Sequence, residues 1–328
     1  MSNQWTAADI PPLSGKRILV TGANSGIGYR TALKLARKGA QVVVACRDRQ
    51  RGEAALTRMH GDSDGIEVEL GLLDLASFSS IREFAGQQLA QNRPLHVLIN
   101  NAGVMTPPKR LETEDGFELQ FGTNVLGHFA LTALLMPALQ LAADTTGSRP
   151  RIVTVASLAH KRGHLNFDDL QSTRSYSPMG AYQQSKLADL MFAFELERRL
   201  RATNSPIMSL AAHPGVAQTN LFQTGNYSKL ENAVRRGVGH AIGLFLNNDA
   251  EGALPTLYAA TAPEALDGGY YGPQGFQEAR GEEVGPAKVA PQALDQAAAA
   301  RLWQVCEALT GIRFQIPNRP GNHRNHAA

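Results

Sequence analysis

What most constrains the fold of this chain is a rhythm of short β-branched runs separated by longer amphipathic segments. The runs are Arg17 to Val20, Gln41 to Val44, Ile66 to Leu70, Leu95 to Ile99, Arg151 to Val155 and Met208 to Ala211. Strands that alternate with helices pair in parallel, because each connection must cross the sheet before the next strand is laid down. The pattern therefore predicts a doubly wound α/β sheet with helices on both faces. A weaker run at Gly269 to Tyr271 would make seven strands, and the spacing predicts helices over Arg30 to Arg37, Ser79 to Leu89, Phe129 to Ala142 and Ala181 to Arg199.

Nothing in the 328 residues marks a hinge, so a single domain is expected. Of these residues 43% are hydrophobic and 19% charged, enough for a core within a water-facing surface. A net charge of +3, with scattered Lys and Arg, excludes a nucleic-acid footprint. Cys46 and Cys306 stand alone, without the spacing of a disulfide framework or a zinc site, so no metal is expected and a reducing cytoplasm fits. Met1 to Pro12 has neither the basic nor the apolar region of a signal peptide. The uncharged run Val125 to Ala143 is long enough for a membrane span, but Gly127, His128, Thr132, Pro137 and Gln140 favour a buried or interface helix.

Immediately after the first strand comes Thr21-Gly22-Ala23-Asn24-Ser25-Gly26-Ile27-Gly28, and a helical pattern follows at once. Glycines at such a turn let the backbone approach a pyrophosphate, whose charge meets a helix N-terminus. Strand before and helix after are the context that a Rossmann-type dinucleotide site requires. The second strand ends Val44-Ala45-Cys46-Arg47-Asp48, with no acidic residue at its tip. Arg47 offers a fork to a 2′-phosphate, which favours NADP(H), while Asp48 keeps NAD(H) open.

Tyr182 and Lys186 are four residues apart on a predicted helix, so a phenol and an ammonium share one face. A nearby cation is the simplest means of lowering a phenol's pKa from about 10 toward neutrality. The pair is suited to proton transfer.

Together these residues resemble the classical short-chain dehydrogenase/reductase family, over roughly Gly15 to Gly272. The likeness is carried by Thr21 to Gly28, by Asn100-Asn101-Ala102-Gly103 after the fourth strand, and by Asn124 in Asn124 to Phe129. It continues in Ser157 after the fifth strand, Tyr182 to Lys186, and Pro214-Gly215-Val216 with Thr219 after the sixth. The phrases Ala45 to Asp48 and Ser157 to His160, and the 25 residues from Ser157 to Tyr182, are similar to the retinol-dehydrogenase-like branch. Ala156 departs from the family's common Ser-Ser pair. Members of that branch often carry a membrane anchor, and none is expected here.

The resemblance implies a nicotinamide oxidoreductase acting on a small-molecule carbonyl or alcohol. Tyr182 would exchange the proton, Lys186 would bind the nicotinamide ribose and lower the tyrosine pKa, and Ser157 would hold the substrate oxygen. Asn124, through its backbone carbonyl in a disturbed helix, would hold a water beside Lys186. Gly22, Asn24, Ser25, Gly26, Ile27 and Gly28 would form the pyrophosphate turn. Asp74 and Leu75 would meet the adenine, Asn101, Ala102 and Gly103 would lie along the ribose, and Pro214, Gly215, Val216 and Thr219 would support the nicotinamide. Asp74 alternatively caps the next helix. His128, His160 and His213 lie on three elements and are expected to be structural or substrate-loop residues.

Residues 1–14 are expected as an N-terminal extension, 15–316 as the domain and 317–328 as a disordered tail. Two long loops, 158–180 and 221–248, would wall the substrate pocket, and Phe167, Met179, Leu221, Phe222 and Phe245 suggest an apolar ligand. The uncharged face of Val125 to Ala143, with the helix after Tyr182, would form a four-helix contact in a homodimer or homotetramer; otherwise the chain is a monomer. Two rival readings are a non-catalytic dinucleotide sensor or scaffold and a sugar-nucleotide epimerase. The first typically lacks the Tyr or the Lys, and the glycine spacing of the second does not match Gly22, Gly26 and Gly28.

Overall fold

A computed structural model describes residues 5–216 and 248–316. Thr219, nearly all of the second expected loop with Leu221, Phe222 and Phe245, and the tail 317–328 lie outside the described residues.

One eight-stranded sheet forms the core, in the order β3-β2-β1-β4-β5-β6-β7-β8. The strands are β1 Arg17–Thr21, β2 Gln41–Cys46, β3 Glu67–Leu72, β4 Val97–Asn100, β5 Arg151–Val155, β6 Met208–Ala212, β7 Tyr270–Pro273 and β8 Val284–Pro286. The first seven are parallel; β8 pairs antiparallel with β7. The sequence pattern predicts seven, and β8 escapes it because three residues hold no alternation to read. Strand order reverses between β1 and β4, so the switch point opens beyond Thr21 and Asn100, where open α/β sheets bind ligands.

Alternate residues of β1 part to the two faces. Ile18 and Val20 join the core under α1 (Gly26–Arg37) and α6 (Asp249–Thr261), whereas Leu19 joins that under α3 (Phe78–Ala90), α4 (His128–Thr146) and α5 (Pro178–Ala202). Helix α2 (Arg49–Asp62) was not expected: it buries only Gly52, Ala55 and Met59, too small a stripe to register as periodicity. The stretch Phe121–Thr146 is the one helical stretch among the described residues long and apolar enough to cross a membrane, and 78% of its most apolar window is buried within the fold.

A further helix, α7 (Gln296–Thr310), also missed from the sequence, lies along α5. Trp303 and Phe314 pack with Phe129 of α4 and Phe192 of α5, and the Arg199 guanidinium sits 4.3 Å above the Trp303 ring. This is part of the face expected to meet a partner's helices, and the chain's own C-terminal helix covers it. The expected N-terminal extension is likewise packed from Trp5 on, with Trp5 edge-on to Tyr258 and Ile10 and Leu13 buried.

Candidate active site

A cleft of about 1040 Å³ runs along the carboxyl ends of the strands, from Arg47 past the glycine turn to Tyr182 and Val216. At one end β1 turns into α1. Gly22 and Gly26 have φ of +67° and +57°, the left-handed region that glycine enters without strain. A Cβ on Gly28 would lie 2.5 Å from Asn101 Nδ2 and 2.6 Å from the Gly22 carbonyl oxygen, so the helix approaches this closely only as glycine. Asn101, expected beside the ribose, donates from Nδ2 to the Thr21 carbonyl at 2.7 Å and thereby braces the turn. The open helix N-terminus and the bare turn fit a dinucleotide pyrophosphate.

The adenosine end is basic. Arg47 is exposed on the cleft wall, and Arg51 and Arg58 of α2, which no local motif marks, line it too. Arg58 donates to the Asn24 carbonyl at 3.0 Å. Asp48 caps α2 by accepting from the Arg51 amide at 2.9 Å, which accounts for its position without a ribose contact. Asp74 does not cap α3, since Ser77 does; its Oδ1 accepts from the Ala76 amide, and it lines the cleft with the buried Leu75.

At the other end Ser177 and Pro178 start α5, which puts Tyr182 in its second turn. Tyr182 and Lys186 line the cleft with Ser157, Ala102, Gly103, Pro214 and Gly215. Nζ of Lys186 donates to the Val155 carbonyl at 2.9 Å and to Asp189 Oδ2 at 2.8 Å. The expected disturbance around Asn124 is a π-helical stretch, Phe121–Gly127. Asn124 itself lies behind the cleft. Its amide donates to Ser185 Oγ and to the Val104 carbonyl and accepts from the Val104 amide, tying the loop after β4 to α5.

The Asn124 carbonyl, expected to hold a water, lies 2.8 Å from Nδ1 of His128, whose Nε2 lies 2.9 Å from the Thr21 hydroxyl. Burial drives the His128 pKa down to about 3. The ring is therefore neutral, with Nδ1–H donating to the carbonyl and Nε2 accepting from Thr21. Among the described residues no cluster of His, Cys, Asp and Glu could hold a metal.

Residues 16–229 match the family model described as short chain dehydrogenase. The chain belongs to the short-chain dehydrogenase family. It is similar to human retinol dehydrogenase 13, at 41% identity across 92% of this chain and 86% of the relative. Mouse polyprenol dehydrogenase is 42% identical over the same shares. A crystal structure of an uncharacterized protein from Mycobacterium paratuberculosis superposes with a TM-score of 0.76 at 41% identity, covering 95% of this chain and all of that one. These place the chain in the retinol-dehydrogenase-like branch, as an NAD(P)-dependent oxidoreductase acting on CH–OH or C=O groups.

In this short-chain dehydrogenase Ser157 caps a 3-10 turn, Leu158–Arg162, and its Oγ accepts from the Ala159 amide at 3.2 Å. The Ser157 carbonyl lies 2.7 Å from Nδ1 of His160, while His160 Nε2 accepts from the Ala290 amide at 3.3 Å. Nδ1 thus carries the proton and fixes the serine turn. His213 performs the matching task one strand over, where its Nδ1 accepts from the Gly215 amide at 3.1 Å. Its Nε2 faces Glu278 at 3.8 Å, and Glu278 pairs with Lys161 at 2.7 Å. Burial works against the Glu278 charge, but Lys161 and the Lys288 amide hold its pKa below the ordinary value. Of the three histidines expected to be structural or substrate-loop residues, His160 and His213 brace the loops that carry Ser157 and Gly215, and His128 joins Asn124 to Thr21. Nothing in the local sequence sets Glu278 apart. Its φ of +59°, next to Gln277 at +50°, is the unusual backbone that turns it inward.

Proposed function

We propose that this enzyme uses NADPH to reduce an apolar aldehyde or ketone, with Tyr182 delivering the proton. The observation that carries the reading is the shared wall of the cleft, where Ser157, Tyr182 and Lys186 stand together beyond a glycine turn fit for a dinucleotide. When bound, the nicotinamide supplies the hydride. Ser157 Oγ donates to the carbonyl oxygen and holds it toward Tyr182. The tyrosine hydroxyl gives up its proton to that oxygen as negative charge develops there. The Lys186 ammonium stabilises the phenolate left behind, and its remaining N–H is available to a ribose hydroxyl. Asn124, acting through Ser185 and Val104, holds the lysine's surroundings in register.

The preference for NADP(H) over NAD(H) rests on Arg47, Arg51 and Arg58 around a strand tip without an acidic residue. The apolar substrate class rests on Met179 and Val216, exposed at 44% and 41% where the cleft opens, and on the names of the retinol and polyprenol relatives. Coverage of α5 by α7 supports a monomer, and two free buried cysteines suit a reducing cytoplasm. The test follows NADPH and NADH oxidation with a panel of aldehydes and ketones, retinal included. Tyr182→Phe should still bind cofactor and lose about 10²-fold or more in turnover. Near-native turnover of that variant would reject the assignment.

A further inference from the structure

Lys186 does not face the cleft alone. Asp189 follows it by one turn of α5, with Oδ2 2.8 Å from Nζ, and the two side chains are only 6% and 4% exposed. The Tyr-x-x-x-Lys motif and the chemistry proposed above make no use of this carboxylate. An ammonium so deeply buried is costly without a counter-charge.

Two consequences follow from the geometry. The first concerns direction. Nζ has three N–H donors; the Val155 carbonyl and Asp189 take two of them, which leaves one for the cleft. The second concerns charge. A lone ammonium acts on Tyr182 as a full positive charge, whereas one joined to a carboxylate acts as a dipole, whose field at the phenol is weaker.

The surroundings leave this balance to Asp189. Burial pushes its carboxyl up, to about 6, while the Lys186 ammonium 2.8 Å away favours the ionised form. Burial also opposes the Lys186 charge, but Asp189 and Tyr182 outweigh it and hold the lysine above its ordinary value. Among the described residues, the other titratable groups facing the pair are Tyr182 on α5, His128 from α4 and Cys306 from α7. His128 is neutral, and burial, assisted by Asp189, pushes the Cys306 thiol up, so neither adds charge.

We propose that Asp189 is a positioning residue for proton transfer: its buried carboxylate fixes the Lys186 ammonium and offsets part of its charge, so that Tyr182 remains a proton donor to higher pH. This rests on the assignment of Tyr182 and Lys186 made above. It would extend the pH range of carbonyl reduction upward and move alcohol oxidation, which needs the phenolate, to higher pH.

The experiment titrates tyrosinate absorbance in the full-length protein saturated with oxidised NADP, subtracting the Tyr182→Phe spectrum to isolate one phenol. Asp189→Asn should lower that midpoint, by up to about one pH unit, because the ammonium it leaves unpaired is the charge nearest Asp189. Asp189→Glu, which keeps the charge, should bring it back toward the native value. Asp189→Ser is measured alongside, because the smaller side chain leaves room for water beside Nζ should the amide impair folding. A residue with only a packing role would lower the melting temperature and leave the midpoint in place. An unchanged midpoint in either folded neutral variant overturns the proposal. Full turnover by Tyr182→Phe would instead reject the tyrosine assignment, so the two failures are distinguishable.

Discussion

The two ends of the cleft are built on different principles. At the glycine turn the chain offers backbone and small side chains: Gly22, Gly26 and Gly28, with Asn101 and Thr21 bracing them through uncharged hydrogen bonds. At the end carrying Ser157 and Gly215, the loops are held by the buried ionisable groups His160, His213 and Glu278, with the partly exposed Lys161 paired to Glu278. The glycine end is limited by volume and should respond little to pH. The other is limited by charge and should tolerate changes in size better than changes in protonation.

The strongest way to break this contrast is to add volume to the turn. Gly28→Val must displace Asn101 or the Gly22 carbonyl, and overpacking of that kind costs about 1–3 kcal/mol. NADPH affinity, read from its fluorescence, should fall by up to about 10²-fold, the same at pH 6 and pH 8; unchanged binding would mean that the close approach is not needed.

Next in size is Glu278→Gln, which keeps the volume and removes the charge that Lys161 and His213 face. Loss of a hydrogen-bonded ion of this kind costs about 1–3 kcal/mol, and the melting temperature should drop while cofactor affinity holds. Equal losses of stability and of NADPH binding would show that the two ends are one unit.

The histidines sharpen the comparison through pH. Burial lowers His213 to about 3, so the folded protein keeps it neutral while the unfolded chain takes up a proton below about 6.5. The unfolded state then binds more protons, and the stability this group contributes is complete above pH 6.5 and drains as pH falls toward 3. The loss is about 1.4 kcal/mol per pH unit for one such group. Asp189, raised to about 6, contributes with the opposite sign between its ordinary value and 6, and softens the decline. His213→Asn should flatten the dependence of melting temperature on pH between 4 and 6; an unaltered slope would remove His213 from the acid response.

Arg47→Ala is expected to give the smallest effect, because Arg47 is exposed and Arg51 and Arg58 remain beside it. A contact of this kind is worth about 1 kcal/mol or less, so KM for NADPH should rise a few-fold and KM for NADH should not move. Equal changes in both would discard Arg47 as a phosphate contact.

The same contrast governs what could be read in advance. The glycine turn, the strand before it and the Tyr182–Lys186 spacing are local patterns, since a left-handed turn or a helical face is set by residues within a few positions of one another. Strands β1, β2, β4, β5 and β6 are legible for the same reason, each a short run dominated by apolar residues. Helix α2 hid behind a stripe of Gly52, Ala55 and Met59, and α7 behind a run of alanines that declares no face.

Residues close together in the chain set the alternation that makes a doubly wound sheet, the turn that admits a dinucleotide, and the helix that presents a phenol and an ammonium together. Packing between distant segments seals Asp189 against Lys186, brings Glu278 to Lys161 across 117 positions of chain, and lays α7 over the face left open for a partner. A charge becomes influential only when burial removes the water that would screen it. Burial is a property of the packed whole.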